Sequence, residues 1–155
     1  MDFKKAITYW LLVIIWMYVI FHFSSEPAKQ SDTQSLFVIQ VINKASNSFG
    51  FTGELLDNNW NNFIRKTAHA SEYAMLCILL YLAVSALGVK DKKLFLSALL
   101  ICLIYAVTDE IHQAFVPGRA ARVTDVMIDT SGGFAGLIII SIGNFFSWGK
   151  KIIRE

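Results

Sequence analysis

Four apolar stretches divide the chain, at residues 6–23, 68–87, 94–115 and 126–146. Each approaches the roughly 20 residues that carry a helix across about 30 Å of hydrocarbon, at about 1.5 Å of rise per residue. The first has no interior charge. Lys4 and Lys5 ahead of it would also suit a signal peptide. However, Phe23-Ser24-Ser25-Glu26-Pro27 offers no good small-x-small cleavage site, and the apolar core is long for a signal, so the stretch reads as a retained anchor. The expected fold is all-α: a polytopic membrane helical bundle of four transmembrane helices with interfacial helices in the first outer loop. No repeat or low-complexity tract divides it, so residues 1–155 read as a single domain.

Shorter patterns lie in the first loop. Leu36, Phe37, Val38, Ile39, Val41 and Ile42 form an apolar run too short to span, which predicts an interfacial or re-entrant helix. Trp60, Phe63, Ile64 and Thr67 recur at helical spacing behind Asp57, a residue type that suits an N-cap. They predict a surface helix that bends into the second span.

Composition agrees with a lipid solvent: 55% of residues are hydrophobic and 17% charged, against about a quarter charged in soluble domains. Sparse charge and abundant aromatics exclude disorder. Cys77 and Cys102 sit in apolar runs and read as packing residues, which excludes a disulfide scaffold. A net charge of +2 gives no case for nucleic acid. The distribution of the cations says more. Lys4, Lys5, Lys90, Lys92, Lys93, Lys150, Lys151 and Arg154 fall in short segments on one side; Lys29, Lys44, Arg65, Lys66, Arg119 and Arg122 are spread over two loops on the other. Eight against six in denser segments puts both termini in the cytoplasm. Tyr9, Trp10 and Trp148 at the inner boundaries fit the same orientation.

Polar residues break the apolar pattern at three places. His69, Glu72 and Tyr73 share one helical face, as do Asp109, His112 and Gln113; Asp125 and Asp129 stand one turn apart before Gly132, Gly133 and Gly136. Between the last two groups lies Pro117-Gly118-Arg119-Ala120-Ala121-Arg122, a turn with two guanidinium groups. The second span starts outside, the third ends outside and the fourth starts outside, so all three groups are expected at one extracytoplasmic boundary. A charged side chain at mid-bilayer costs about 2.5–3.5 kcal/mol, so six facing lipid would cost about 15–20 kcal/mol, more than a typical domain's stability. They are expected to face one another or a wet cavity, with Gly132 and Gly136 letting another helix approach closely. Taken singly, each group also has a structural reading: Asp125 as a helix cap, Glu72 as a partner of Arg65, Lys66 or Arg119, His112 as an interfacial histidine. His22, without a neighbouring partner in sequence, reads as structural.

Several chemistries fit such a constellation. Two histidines and several carboxylates suit a divalent cation, yet no HExxH or Cys-x-x-Cys spacing occurs, and the sequence assigns neither a metal nor a cofactor. Arg119, Arg122 and the start of the fourth helix suit phosphate, and lipid-linked phosphates lie at this depth. A carboxylate or histidine base would extend that to phosphoryl transfer or hydrolysis, though no nucleophile is marked. A purely binding pocket is the third option. Ion conduction ranks last, because the inner halves of the spans are almost free of ionisable groups.

Arg65-Lys66-x2-His69-x2-Glu72-Tyr73, then Asp109-Glu110-x2-Gln113-x3-Pro117-Gly118-Arg119, then Asp125-x3-Asp129-Thr130-x-Gly132, in that order, resemble the VanZ-like family. Ser24-Ser25-Glu26-Pro27 resembles its Ser-Ser-Gln-Pro segment, with glutamate in place of glutamine. The resemblance runs from about Trp16 to Gly136. It implies a small bacterial multi-pass protein of the cytoplasmic (inner) membrane, in a family whose founding member is associated with teicoplanin resistance; it supplies a setting and no reaction. The preferred reading is an outward-facing pocket that binds or modifies a cell-envelope component, such as a lipid-linked wall precursor or an anionic lipid head group, with a link to glycopeptide resistance. The candidate binding residues are Lys66, His69, Tyr73, Glu110, His112, Gln113, Arg119, Arg122, Asp125 and Asp129. A second reading is an enzyme acting on a lipid-linked phosphate or pyrophosphate, with Glu72 or Asp109 as base. A third is an accessory subunit whose pocket is only an ion-pair network.

Overall fold

The computed structural model describes residues 3–50 and 60–152, apart from the side chains of 144 onward. Five helices make up the fold: α1 (Phe3–Ser24), α2 (Ala28–Ser48), α3 (Asn61–Ala86), α4 (Asp91–Gln113) and α5 (Val123–Ile152). Four are long and apolar enough to cross a membrane: Phe3–Ser24, Asn61–Ala86, Asp91–Gln113 and Val123–Gly143. The protein is an all-α, multi-pass membrane bundle. The four expected stretches fall on these helices, with different ends: Asn61 rather than residue 68 opens the second, Gln113 rather than residue 115 closes the third, and the fourth covers Val123–Gly143 rather than 126–146.

The helices turn stripes of large apolar side chains outward as well as inward. On α1, Ile7, Leu11, Ile14, Ile15 and Tyr18 form an exposed stripe; on α4 the stripe is Leu96, Leu100, Ile104, Val107 and Ile111. In water such stripes would be a liability, but hydrocarbon solvates them. The core is narrower, built from Val13, Ile20, Tyr73, Leu76, Cys77, Leu80, Ala98, Cys102, Ala106 and Leu137. Cys77 and Cys102 are both free thiols within it, as packing residues should be.

Helix α3 is the centre, packing against α1, α2, α4 and α5, and most extensively against α5. A Cβ added at Gly132 would collide with the carbonyl oxygen of Ala70, and one at Gly136 with that of Ala74. Ala70 and Ala74 thus form a second small-xxx-small pair facing the first, and the two backbones meet directly. Between lipid tails no hydrophobic drive separates protein from solvent, so this close van der Waals contact is a main source of association.

Two aromatic donors seat α1. Trp16 donates its indole N–H to the carbonyl of Glu72 on α3 (2.9 Å), and the Tyr105 hydroxyl on α4 donates to the carbonyl of Met17 (2.6 Å). Each carbonyl has a second lone pair beyond its own helical bond. At the opposite end from the polar groups, Gly88 (φ +89°) closes α3, and Asp91 (φ +56°) opens α4 from the left-handed region that Asp tolerates better than most side chains.

The first loop differs from expectation in one of its two patterns. The apolar run falls inside α2, a helix of 21 residues that exposes Phe37, Val38, Val41 and Ile42 and buries Ser31, Ser35, Ile39 and Ser46. Trp60–Thr67 do not make a separate surface helix that bends into the span. Asn61–Ala86 is one continuous helix, because Arg65 and Asn61 are tied to Asp32 of α2 and no Gly or Pro interrupts the run. Asp57, the expected N-cap, lies outside the described residues, as does the side chain of Trp148.

Gly136→Leu is expected to break the α3–α5 contact and destabilise the bundle by about 3 kcal/mol or more, since backbone rather than a flexible side chain occupies the space. Thermal unfolding in detergent checks this, with Gly143→Leu, where an added Cβ meets nothing, as the silent control.

Candidate functional site

The α1–α2 linker, the ends of α3 and α4, the α4–α5 turn and the start of α5 converge at one end of the bundle. The turn forms because Phe115 and Val116 N–H groups continue helical bonding to His112 and Gln113 carbonyls, after which Gly118 (φ +78°) reverses the chain. Its tip packs on α2: Ala28 donates its N–H to the carbonyl of Pro117 (3.3 Å). Asp125 then opens α5 with its N–H on the Arg122 carbonyl.

At the centre is a buried chain of polar contacts. Asp109 is 3% exposed, and its Oδ2 accepts from the Ser24 hydroxyl (2.8 Å) and the Gln113 amide (3.1 Å). Gln113 also reaches Ser24 Oγ (3.2 Å), and its Oε1 accepts from Arg119 Nη1 (3.2 Å). Arg119 continues the chain into the α1–α2 linker, donating Nε–H to the Glu26 carbonyl (2.9 Å) and Nη2–H to the Phe23 carbonyl (3.2 Å). Burial first, then the charge of Arg65, lower the Arg119 guanidinium from its ordinary value; it remains a cation. Glu110 accepts the main-chain N–H of Arg122, fixing the turn from inside.

Around this chain lies a cavity of about 120 Å³. Lys66, His69, Glu110, Gln113, Arg119, Arg122, Asp125 and Asp129 line it, with Arg65, Ala28 and Gly118. Lys66 pairs with Asp125 across α3 and α5 (3.4 Å), and Arg65 with Asp32 (3.1 Å), so these two cations have local counter-charges. Each terminal nitrogen of Arg119 uses one N–H in these bonds and carries a second. Arg122 is exposed at the rim.

Eight of the twelve side chains singled out from the sequence therefore surround one cavity. The other four are placed differently. Glu72 lines a second cavity with His69, whose Nδ1 is 3.8 Å from Glu72 Oε2. Tyr73 is fully buried in the core, 6.1 Å from the ring of Tyr105. Asp109 lines neither of these cavities and stands behind Gln113. His112 turns toward α1, stacked on Phe21 at 4.4 Å, with its Nε2 at 3.1 Å from Ser25 Oγ. That serine–histidine pair does not make a nucleophile. Ser25 already donates its proton to the Phe21 carbonyl (2.6 Å), so the imidazole N–H donates to the serine, opposite to a general base.

Buried polar atoms without a hydrogen-bonding partner include Asp109 Oδ1, His69 Nδ1, Glu72 Oε2 and Tyr73 Oη. Such atoms in a low-dielectric interior mark a place where polar material is tolerated or recruited. Among the described residues no three of His, Cys, Asp and Glu converge in a way that would hold a metal ion. Sequence reasoning gave no role to Ser24, Trp16, Tyr105 or Asp32. Ser24 stood in a quoted motif, yet only the fold puts its hydroxyl on Asp109.

The family model described as VanZ/LLP1 matches residues 9–145. No curated protein and no solved structure matches the chain.

Ser24→Ala is expected to lower stability by about 1–3 kcal/mol, because Asp109 loses a buried donor that water cannot easily replace. Thr8→Ala removes an exposed hydroxyl bonded only within its own helix and should change stability by less than about 0.5 kcal/mol. Parallel thermal unfolding of the two variants checks the difference.

Proposed function

The chain belongs to the VanZ/LLP1 family, and on that premise we propose that its polar cavity binds the anionic part of a cell-envelope component at the outer face of a bacterial inner membrane. Both termini then face the cytoplasm, as the denser lysine and arginine clusters favour. The observation that carries the reading is the cavity itself. Lys66, Arg65, Arg119 and Arg122 contribute cations from two separate segments, and the first three are held by partners on other elements. A preorganised set of this kind binds an oxyanion without first having to order flexible side chains. Its residues occupy the cavity that Glu110, Asp125 and Asp129 also line, so the bound group also meets carboxylates able to accept from hydroxyls or a protonated oxygen.

Contribution to teicoplanin resistance follows if the bound component is the wall precursor on which that drug acts. The enzyme reading has one observation in its favour: His69 lines both cavities, with the Glu72 carboxylate behind it, an arrangement in which an imidazole can move a proton. The nucleophile would then be water.

Binding is tested by purifying the full chain from its host membrane and weighing what remains bound by native mass spectrometry. Stoichiometric retention of a phosphate-bearing envelope component, lost in Arg122→Gln at unchanged thermal stability, is the expected result; retention unaffected by Arg122→Gln would overturn the reading. A changed mass of that component after incubation would decide for the enzyme. For orientation, a cysteine at Ala120 is expected to react with an impermeant maleimide added outside intact cells, and one at Lys92 only after lysis.

A further inference from the structure

A second cavity, of about 170 Å³, lies between α2 and α3. The apolar side chains of Phe23, Val38, Ile64 and Ala68 line it together with Ser31, Gln34 and Ser35 of α2, and one end is charged, at Arg65, His69, Glu72 and Arg119. Arg65, His69 and Arg119 line this cavity and the cationic one alike, so the two adjoin around these three side chains. An apolar trough that runs into a cationic chamber has the polarity of an amphiphile. Helix α2 supports the same reading: it packs on α3 through Ser31, Ser35 and Ile39 while Phe37, Val41 and Ile42 remain exposed beside the trough. Small residues at the contact leave room between the helices, and Val38 and Ala68 are exposed, so the trough is open to the surroundings of the bundle. His69 Nδ1 and Glu72 Oε2, buried without hydrogen-bond partners, lie at the charged end of the trough.

We propose that the ligand is a membrane lipid with a phosphate-bearing head group, its head beside Arg119 and Arg122 and the adjoining part of one hydrocarbon chain laid between α2 and α3. This rests on the anion-binding reading above and adds that the ligand arrives sideways from the bilayer. The Asp32–Arg65 pair joins α2 to α3 beside the trough.

The test uses the full-length protein in nanodiscs of phosphatidylcholine doped with phosphatidylglycerol, with glycerol 1-phosphate as the chainless probe. Ala68→Phe and Val38→Trp, both at exposed positions of the trough, are expected to lower retained phosphatidylglycerol by about tenfold and leave glycerol phosphate binding unchanged. Arg122→Gln is expected to lower both. Wild-type retention of the lipid in the two trough variants overturns the lateral seat while the anion site stands. Undiminished binding of both probes in Arg122→Gln overturns the anion site itself. A measurement on the unmodified chain is independent of variant folding: phosphatidylglycerol with a diazirine near the head-group end of its chain should label peptides containing Val38 and Ala68. Labelling spread evenly over Leu100, Ile104 and Ile139, exposed residues of α4 and α5, overturns the proposal.

Discussion

The Asp109 carboxylate sets the terms for the polar end of the bundle. A carboxylate shut away from water needs donors, and its own helix supplies Gln113. Ser24 from α1 and Gln113 answer one oxygen, and Arg119 then holds Gln113 while gripping two carbonyls of the α1–α2 linker. One buried acid thereby ties α1, α4, the linker and the α4–α5 turn into a single network. In such a network each member orients the next, so losing one donor loosens several segments at once.

The remainder of the site is a consequence of two contacts with unlike stiffness. Backbone meets backbone where Gly132 and Gly136 of α5 face Ala70 and Ala74 of α3, fixing Lys66 and His69 relative to Asp125 and Asp129. Helix α2, in contrast, is joined to α3 by Ser31, Ser35 and Ile39, the Asn61–Asp32 hydrogen bond and one partly exposed ion pair, the last worth roughly 1 kcal/mol or less. The trough therefore has a rigid floor on α3 and a looser wall on α2. Binding sites commonly combine the two, since the floor preserves geometry and the wall can yield.

Helical periodicity explains which site residues were legible. His69 and Asp129 break long apolar runs, Lys66 and Asp125 flank them and Arg119 and Arg122 sit in the turn between two of them, and polar groups in hydrocarbon are costly enough that their clustering at one end carries meaning. Tyr73 and His112 were grouped by the same spacing, yet one is buried in the core and the other turns to α1. Spacing fixes a direction around one helix, whereas the neighbour in that direction depends on how the helices are rotated against each other. Ser24 shows the reverse case: a small hydroxyl in sequence is unremarkable until a carboxylate is brought to it.

The sequence by itself determined the all-α membrane fold, its spans, the close glycine approach and the concentration of charge at one end. Each follows from local composition and the fixed geometry of a helix in hydrocarbon. Tertiary structure decided which carboxylate is buried and which lines a cavity, the use of Arg119 as a clasp on main-chain carbonyls, the continuity of α3 through residues 61–86, and the trough beside α2. Those depend on contacts between residues far apart in the chain, such as Ser24 with Asp109, and no periodicity within one helix encodes the partner on another.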